Sequence, residues 1–200
     1  DKQQKNYSHE VIGPLTHGIG VCEGIAKTVK LFCDELGIEC LIAISEADPA
    51  HGAKYRHAWN VITLGKHRYH LDATFDNSLQ RYGAPRYDYY NLDDKKIVHD
   101  HRPLVFPVPP CTDGNRFYYR TAKLSFTKIE EVTNRVKQAI RKKRAVFVFH
   151  WRGGALTQAV LSEILQAAEL AAQSMDRHVS ASVNLHQGVV QLFFDKETYG

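Results

Sequence analysis

Three residues of this chain have the types that thiol catalysis requires, namely Cys22, His57 and Asp72. A cysteine attacks as the thiolate, and a nearby histidine takes the thiol proton and later gives it to a leaving group. A carboxylate that hydrogen-bonds the histidine fixes the orientation of the ring and stabilises the imidazolium. Together the three residue types indicate acyl transfer through a thioester, provided that the fold brings them together.

Cys22 lies at the start of a predicted helix. Apolar residues recur after it at helical spacing, namely Ile25, Val29, Phe32, Cys33 and Leu36. Gly37 follows them as a stop signal, while Gly18 and Gly20 permit a sharp approach and leave the first N–H groups of the helix open. Because the N-terminal end of a helix favours negative charge, we expect this position to favour the thiolate of Cys22.

A β-hairpin is predicted to carry the other two residues. The strand-like runs 56–64 and 67–73 are separated only by Gly65-Lys66, which is typical of a two-residue hairpin turn. In such a hairpin Leu64 pairs with His67, and this pair sets the register of the whole ladder.

That register places His57 and Asp72 on one face of the sheet. Trp59 then faces Asp72, and His57 is the diagonal neighbour of Asp72, with the two backbones about 5 to 8 Å apart. An imidazole and a carboxylate close such a distance to a hydrogen bond. A shift of one residue would move Asp72 to the opposite face and separate the two side chains.

The segments around these residues resemble the motifs of a known family. They read Gly-Val-Cys-Glu-Gly-Ile-Ala at 20–26, Arg-His-Ala-Trp-Asn-Val at 56–61 and Tyr-His-Leu-Asp-Ala-Thr-Phe-Asp at 69–76. In this order they are similar to the core motifs of the bacterial transglutaminase-like superfamily, over roughly residues 7–119. The resemblance implies an α+β, papain-like fold, in which a helix with the cysteine packs on an antiparallel sheet that carries the histidine and the aspartate.

The resemblance also implies a role for each residue. It makes Cys22 the nucleophile, His57 the general base and acid, and Asp72 the orienting carboxylate. Asp76 is a rival for the last role, but the hairpin register favours Asp72 because Asp76 lies beyond the paired region. Three further residues are expected to line the cleft, with the tryptophan as a packing wall: Gly20, Glu23 and Trp59.

One part of the family pattern is missing. The side chain that stabilises the oxyanion usually precedes the cysteine, often as Trp or Gln, and this chain has no Trp before Cys22. The backbone N–H of Cys22 supplies one donor. We expect a second donor either from residues upstream of this chain or from one of five of its own residues: Gln3, Gln4, Asn6, Tyr7 and His9.

Metal chemistry is the weaker interpretation. The 4 cysteines form no C-x-x-C pair, so we expect neither the zinc-bearing branch of the family nor any other cofactor. A metal site of His57, His70 and Asp72 is conceivable on neighbouring strands, but no pattern of supporting residues accompanies it. His99 and His101 are interpreted as exposed loop residues.

We expect two domains. A transglutaminase-like core is assigned to residues 1–120, with a buried strand at 39–45 before the hairpin and an irregular, tyrosine- and proline-rich covering segment over 75–110. Residues 121–200 are assigned to a small α/β accessory domain with the element order αβαββ. We assign no family to this second segment.

The composition excludes several kinds of partner. With 44% hydrophobic residues among 200, the chain can build a core, but no apolar run approaches the roughly 20 residues of a membrane-spanning helix. The formal net charge of +4 is small, so we expect neither a nucleic acid nor a membrane as partner. The basic run 141–144 is interpreted as a solvated helix end. The oligomeric state stays open.

The cysteines and the N-terminus bear on the compartment. Unpaired cysteines fit free thiols in a reducing environment, and Cys33 and Cys40 fall in apolar segments as inert packing thiols do. Residues 1–7 lack the apolar core of a secretory signal, which favours a cytoplasmic protein. Because the chain opens on Asp1 and not on Met, we expect that residues upstream of it have been removed.

These observations predict a cysteine enzyme that acts on amide bonds of a protein or peptide. Transfer of the acyl group to water would make it a peptidase or amidase, and transfer to an amine would make it a transglutaminase. The resemblance to the broad superfamily leans towards hydrolysis. The alternative from another class is a non-catalytic interaction module that keeps the fold and binds its partner through residues 121–200.

Overall fold

The mixed α+β class predicted from the sequence is confirmed by the computed structural model, which describes residues 5–48, 50, 55–80, 84–102 and 104–196. The chain divides into two compact units, Asp1–Tyr118 and Tyr119–Gly200. The sequence placed the division between residues 120 and 121. Among the helices of the described residues, none is both long enough and apolar enough to cross a membrane.

The first unit is built on an antiparallel sheet with the strand order β1-β2-β3-β4. Its strands are β1 (Cys40–Ser45), β2 (His57–Leu64), β3 (His67–Leu71) and β4 (Tyr90–Leu92). Its helices are α1 (Cys22–Glu35), α2 (Ala73–Leu79) and α3 (Asp94–Ile97), and a 3₁₀ turn (Asn6–His9) and a π-helical turn (Gly13–His17) precede α1.

The hairpin register predicted from the sequence is confirmed. Leu64 pairs with His67 across the turn, and the ladder continues to the pair Asn60 and Leu71. The expected strand to residue 73 is wrong at its end, because Asp72 leaves the sheet and caps α2 with its side chain. Trp59 and Asp72 are therefore adjacent to the paired region and are not themselves a ladder pair.

Helix α1 begins at Cys22 as predicted and packs on β1 and β2. The predicted apolar stripe is only partly right, because Phe32 and Leu36 are exposed. The buried face is made of small side chains instead, including Gly24, which lies against the backbone of Ser8, and Ala26, whose carbonyl faces the sheet. There the side-chain amide of Asn60 donates a hydrogen bond to the carbonyl of Ala26 at 3.0 Å.

The segment 75–110, expected to be irregular, contains regular elements. Helix α2 begins at residue 73, β4 adds a strand to the sheet edge, and Asp93 caps α3 by accepting from the N–H of Lys96 at 3.0 Å. The segment is held by polar pairs that are buried. Among them, the guanidinium of Arg86 donates to both carboxylate oxygens of Asp88, at 2.9 and 2.6 Å.

The second unit has its own sheet, with the strand order β5-β6-β8-β7. Following the short helix α4 (Tyr118–Thr121), its elements are β5 (Ser125–Phe126), α5 (Ile129–Arg141), β6 (Val146–Trp151), α6 (Gln158–Gln173), β7 (Arg177–Asn184) and β8 (Val189–Lys196). The order αβαββ is therefore present, with one short strand, β5, ahead of it. Strand β5 pairs parallel with β6, the other pairs are antiparallel, and α5 packs against α6.

Candidate active site

Cys22 occupies the first position of α1, after an extended Val21. Burial opposes ionisation of its thiol, but the hydrogen bond with His57, the backbone N–H of Ala58, the charge of His57 and the backbone N–H of Glu23 outweigh it. The pKa of Cys22 therefore lies below its ordinary value of 9.0. A thiol in this setting is poised to react as the thiolate.

His57 is the first residue of β2 and lies between the thiol and the carboxylate. Its Nε2 atom is 2.6 Å from Oδ2 of Asp72, which leaves Nδ1 as the ring nitrogen for Cys22. Burial disfavours the imidazolium, but hydrogen bonds with Asp72 and Cys22 and their negative charges raise the pKa of His57 to about 9. At neutral pH the geometry therefore supports a thiolate–imidazolium pair.

Asp72 is buried at the N-terminus of α2. Its Oδ1 atom accepts hydrogen bonds from the backbone N–H groups of Thr74 at 2.8 Å and Phe75 at 3.0 Å. Burial would raise the pKa of Asp72, but hydrogen bonds from His101 and His57 and their positive charges lower it to about 2. The carboxylate is thus ionised throughout the physiological range.

His101 was interpreted as an exposed loop residue, and this is wrong. The structure buries it, with Nε2 at 2.7 Å from Oδ2 of Asp72 and Nδ1 at 2.6 Å from Oδ1 of Asp100. Its backbone N–H donates to the carbonyl of Ile97, so the turn after α3 delivers the ring to the site. In the sequence, the local feature that points to structure here is Asp93, a helix-capping residue, which predicts a short helix before His101.

Beside the thiol and the imidazole, a cavity of about 540 Å³ opens. Residues of the N-terminal segment and α1 line one side: His9, Val21, Cys22 and Glu23. Residues of β1, β2 and the approach to β2 line the other: Ile44, Arg56, His57 and Ala58. A cavity of this size, with a nucleophile at its wall, is the usual setting of a small substrate site.

Of the residues expected to line this cavity, the structure places only Glu23 there among those it describes. Trp59 is 1% exposed, because its indole is buried beneath the site and its Nε1–H donates to Nδ1 of His70 at 3.0 Å. Gly20 lies instead against Pro14 and Ile25, where a Cβ atom would come within 2.8 and 2.9 Å of their side chains. Neither residue therefore lines the cavity, although Trp59 packs beside the ring of His57, with 6.0 Å between the ring centroids, as a packing wall would.

The lining of the cavity reduces the number of residues that are candidates for the second oxyanion donor. Of the candidates, Gln3 and Gln4 lie outside the described residues, and His9 lines the cavity. Nδ1 of His9 is 3.0 Å from Oε2 of Glu23, so Nε2 is the ring nitrogen that Glu23 does not engage. The first N–H groups of α1, which begins at Cys22, remain the main donors at this end of the cleft.

Asp76 does not take the role of Asp72. Its Oδ1 atom accepts from the backbone N–H of Tyr89 at 3.0 Å. Burial raises the pKa of Asp76 to about 8, and the nearby carboxylates of Asp88 and Asp72 act in the same direction. The Asp76 carboxyl is therefore protonated at neutral pH and does not offer the charge that His57 needs.

Among the residues that the structure describes, two groups of side chains have ligand atoms within 4.8 Å of one another, close enough to hold a metal ion: His57, Asp72 and His101, and His70, Asp94 and Cys111. The structure thus assigns His70 to a different cluster from Asp72. His70 accepts from Trp59 at Nδ1 and reaches Oδ1 of Asp94 with Nε2 at 2.9 Å, so Nε2 carries the proton. A metal ion at Nε2 would displace that proton. Because Nδ1 accepts the indole N–H, neither nitrogen of the ring would then carry a proton, as the neutral imidazole of a metal ligand requires.

Comparison with models of known protein families gives no match for this chain. Comparison with curated protein sequences gives no match either.

Proposed function

We propose that this protein is a transglutaminase-like thiol enzyme that transfers the acyl group of an amide through Cys22. The observation that carries the proposal is the chain of contacts at the cavity wall. The thiol interacts with His57, and His57 meets Asp72 at 2.6 Å. A helix N-terminus beneath the thiol, a buried carboxylate and an open cavity are the three features that such chemistry uses.

In the first step the Sγ thiolate attacks the carbonyl carbon of the substrate amide. The carbonyl oxygen becomes an oxyanion, and the backbone N–H groups at the start of α1 lie at the same end of the cleft to stabilise it. The C–N bond then breaks, and the proton on Nδ1 of His57 passes to the leaving amine. A thioester on Cys22 and a free amine remain.

In the second step an acceptor attacks the thioester. Neutral His57 takes a proton from a water molecule or an amine, and the acceptor displaces Sγ as the thiolate. Water yields a carboxylic acid and an amine yields a new amide. In both cases Asp72 holds the ring in position and stabilises the imidazolium that each proton transfer forms.

The architecture of the first unit supports the same family. A helix that begins at the thiol packs on an antiparallel sheet, strand β2 of that sheet begins at His57, and strand β3 ends immediately before Asp72. This is the arrangement that the papain-like resemblance implies for residues 1–120. The second unit is proposed as an accessory domain, since the site residues belong to the first unit.

The substrate class is proposed from the cavity. Its two sides carry charges of opposite sign, Glu23 on the side of α1 and Arg56 on the side of the sheet. Glu23 is paired with Lys27, and Arg56 is paired with Glu46 at 3.1 Å. The lining also has an apolar part, formed by Val21, Ile44 and Ala58. A ligand with both a neutral amide and an apolar portion, as in a peptide or a protein side chain, fits such a lining.

The test combines a protein donor with an amine acceptor. The protein is incubated with dimethylcasein and dansylcadaverine, and amine incorporation, ammonia release and new peptide N-termini are measured together. We expect at least one of the three products from the wild type and from Cys33→Ala, which changes a buried thiol of α1. Cys22→Ala should form none. Products that persist in Cys22→Ala would overturn the mechanism, and a wild type without any product would favour the non-catalytic interaction module.

A further inference from the structure

Oδ2 of Asp72 contacts two imidazoles. Nε2 of His57 lies 2.6 Å from it and Nε2 of His101 lies 2.7 Å from it. The side chains of Asp72 and His101 are 1% and 0% exposed, so no solvent separates them. The orientation of His57 in the proposed triad accounts for only one of these two contacts.

The second ring nitrogen of His101 also meets a carboxylate. Nδ1 is 2.6 Å from Oδ1 of Asp100, and Oδ2 of Asp100 accepts from the hydroxyl of Tyr89 at 2.5 Å. A carboxylate oxygen accepts hydrogen bonds, so both nitrogens of His101 must be donors and the ring is an imidazolium. Burial opposes this charge, but Asp100 and Asp72 raise the pKa of His101 above its ordinary value.

We propose that His101, held as a cation between Asp72 and Asp100, is a positioning residue that limits how firmly His57 keeps its proton. This inference rests on the proposed function, because it concerns the same proton transfers. A carboxylate that served His57 alone would stabilise the imidazolium more strongly. By taking a share of the charge on Oδ2, His101 leaves His57 able to release its proton to a leaving amine.

The sign of the effect follows from the groups that face His101. Its charged and titratable neighbours come from four elements or their ends: Asp72, Asp100, His57, His70 and Tyr89. Replacing His101 by a neutral residue removes a positive charge and leaves both carboxylates in place. The imidazolium of His57 is then stabilised more, so its deprotonation should move to higher pH.

The rate at which iodoacetate alkylates Cys22 reports whether His57 is protonated. The reaction requires the thiolate of Cys22, because the thiolate is the nucleophile. The reagent is an anion, so the imidazolium of His57 aids its approach. The rate should rise with pH as the thiolate forms and fall again as His57 loses its proton. In His101→Gln we expect the falling limb to move up by about half to one pH unit. The rising limb should move in the same direction, because loss of a positive charge also disfavours the thiolate. His99→Gln, at an exposed position two residues away, should leave both limbs in place.

A second variant guards against misfolding. Asp100→Asn removes the anion at Nδ1, so His101 becomes neutral while its Nε2–H still reaches Asp72. The falling limb should again move up, by a smaller amount. Circular dichroism identifies the variants that fold. If His101→Gln does not fold, the pH profile of Asp100→Asn tests the inference. If the wild-type profile is bell-shaped and a folded His101→Gln or Asp100→Asn has the same profile, the inference is overturned and the proposed function stands. A wild type without the bell overturns the proposed function and the inference with it.

Discussion

Asp72 holds the ring of His57 with one carboxylate oxygen and caps helix α2 with the other. Oδ2 lies 2.6 Å from Nε2 of His57, while Oδ1 accepts the first N–H groups of the helix from Thr74 and Phe75. The same residue thus ends strand β3, starts α2 and orients the base. Because the helix cap fixes the carboxylate, the imidazole meets an acceptor that is already in position.

Replacing Asp72 by Asn should preserve the cap and disable the base. The amide oxygen can still accept from the start of α2, but its NH₂ group would then face Nε2 of His57 and force the ring proton onto Nδ1. The thiol would lose its acceptor, and turnover should fall about 10³- to 10⁴-fold. Asp93→Asn, which changes the cap of α3, is the matched control. Turnover within a few-fold of the wild type would contradict the assigned role.

Replacing Gly24 by Ala should destabilise the first unit. A Cβ atom there would lie 2.2 Å from the carbonyl oxygen of Ser8, in the turn that carries His9 to the cavity. In an unobstructed helix this change stabilises by about 1 kcal/mol. Here we expect urea denaturation to show a loss of about 1 to 3 kcal/mol. A variant as stable as the wild type would mean that the turn does not pack so closely.

Asp76→Asn should change how stability depends on pH. The folded pKa of Asp76, about 8, is above its ordinary value of 3.8, so the stability from its protonated form is complete below that value and lost as pH rises through 8. Asn mimics the protonated form and can still accept from the N–H of Tyr89.

The free energy of unfolding should therefore be higher in Asp76→Asn than in the wild type by about 1 to 3 kcal/mol at pH 8.5. Near pH 4 the two proteins should have similar stability, which serves as the internal control. Parallel stability curves from pH 4 to 8.5 would show that Asp76 is ionised in the folded protein.

The parts of the site that local patterns determine could be predicted from the sequence. The turn Gly65-Lys66 sets the register of β2 and β3 whatever the rest of the chain does, and the glycines before Cys22 set the start of α1. That register by itself puts His57 and Asp72 at neighbouring positions of the sheet. The hydrogen bond of 2.6 Å follows from it.

The parts that depend on distant partners could not. His101 is separated from Asp72 by a polar segment, and polarity alone predicts exposure. Its burial is possible because Asp72 and Asp100 satisfy both ring nitrogens, and neither contact has a pattern in the sequence. The exposure of Phe32 has a related cause, since the buried face of α1 is made of small residues, among them Gly24 and Ala26, and apolar spacing does not identify these.

The central claim is that Cys22 is an activated thiol. It is tested by treating the folded protein with iodoacetamide at pH 6.5 and following each cysteine by mass spectrometry. Burial raises the pKa of Cys40 and of Cys111 to about 12, whereas that of Cys22 is lowered. We predict that Cys22 is alkylated about 100-fold faster than these two thiols or more. Labelling of Cys22 at the rate of the buried cysteines would contradict the account.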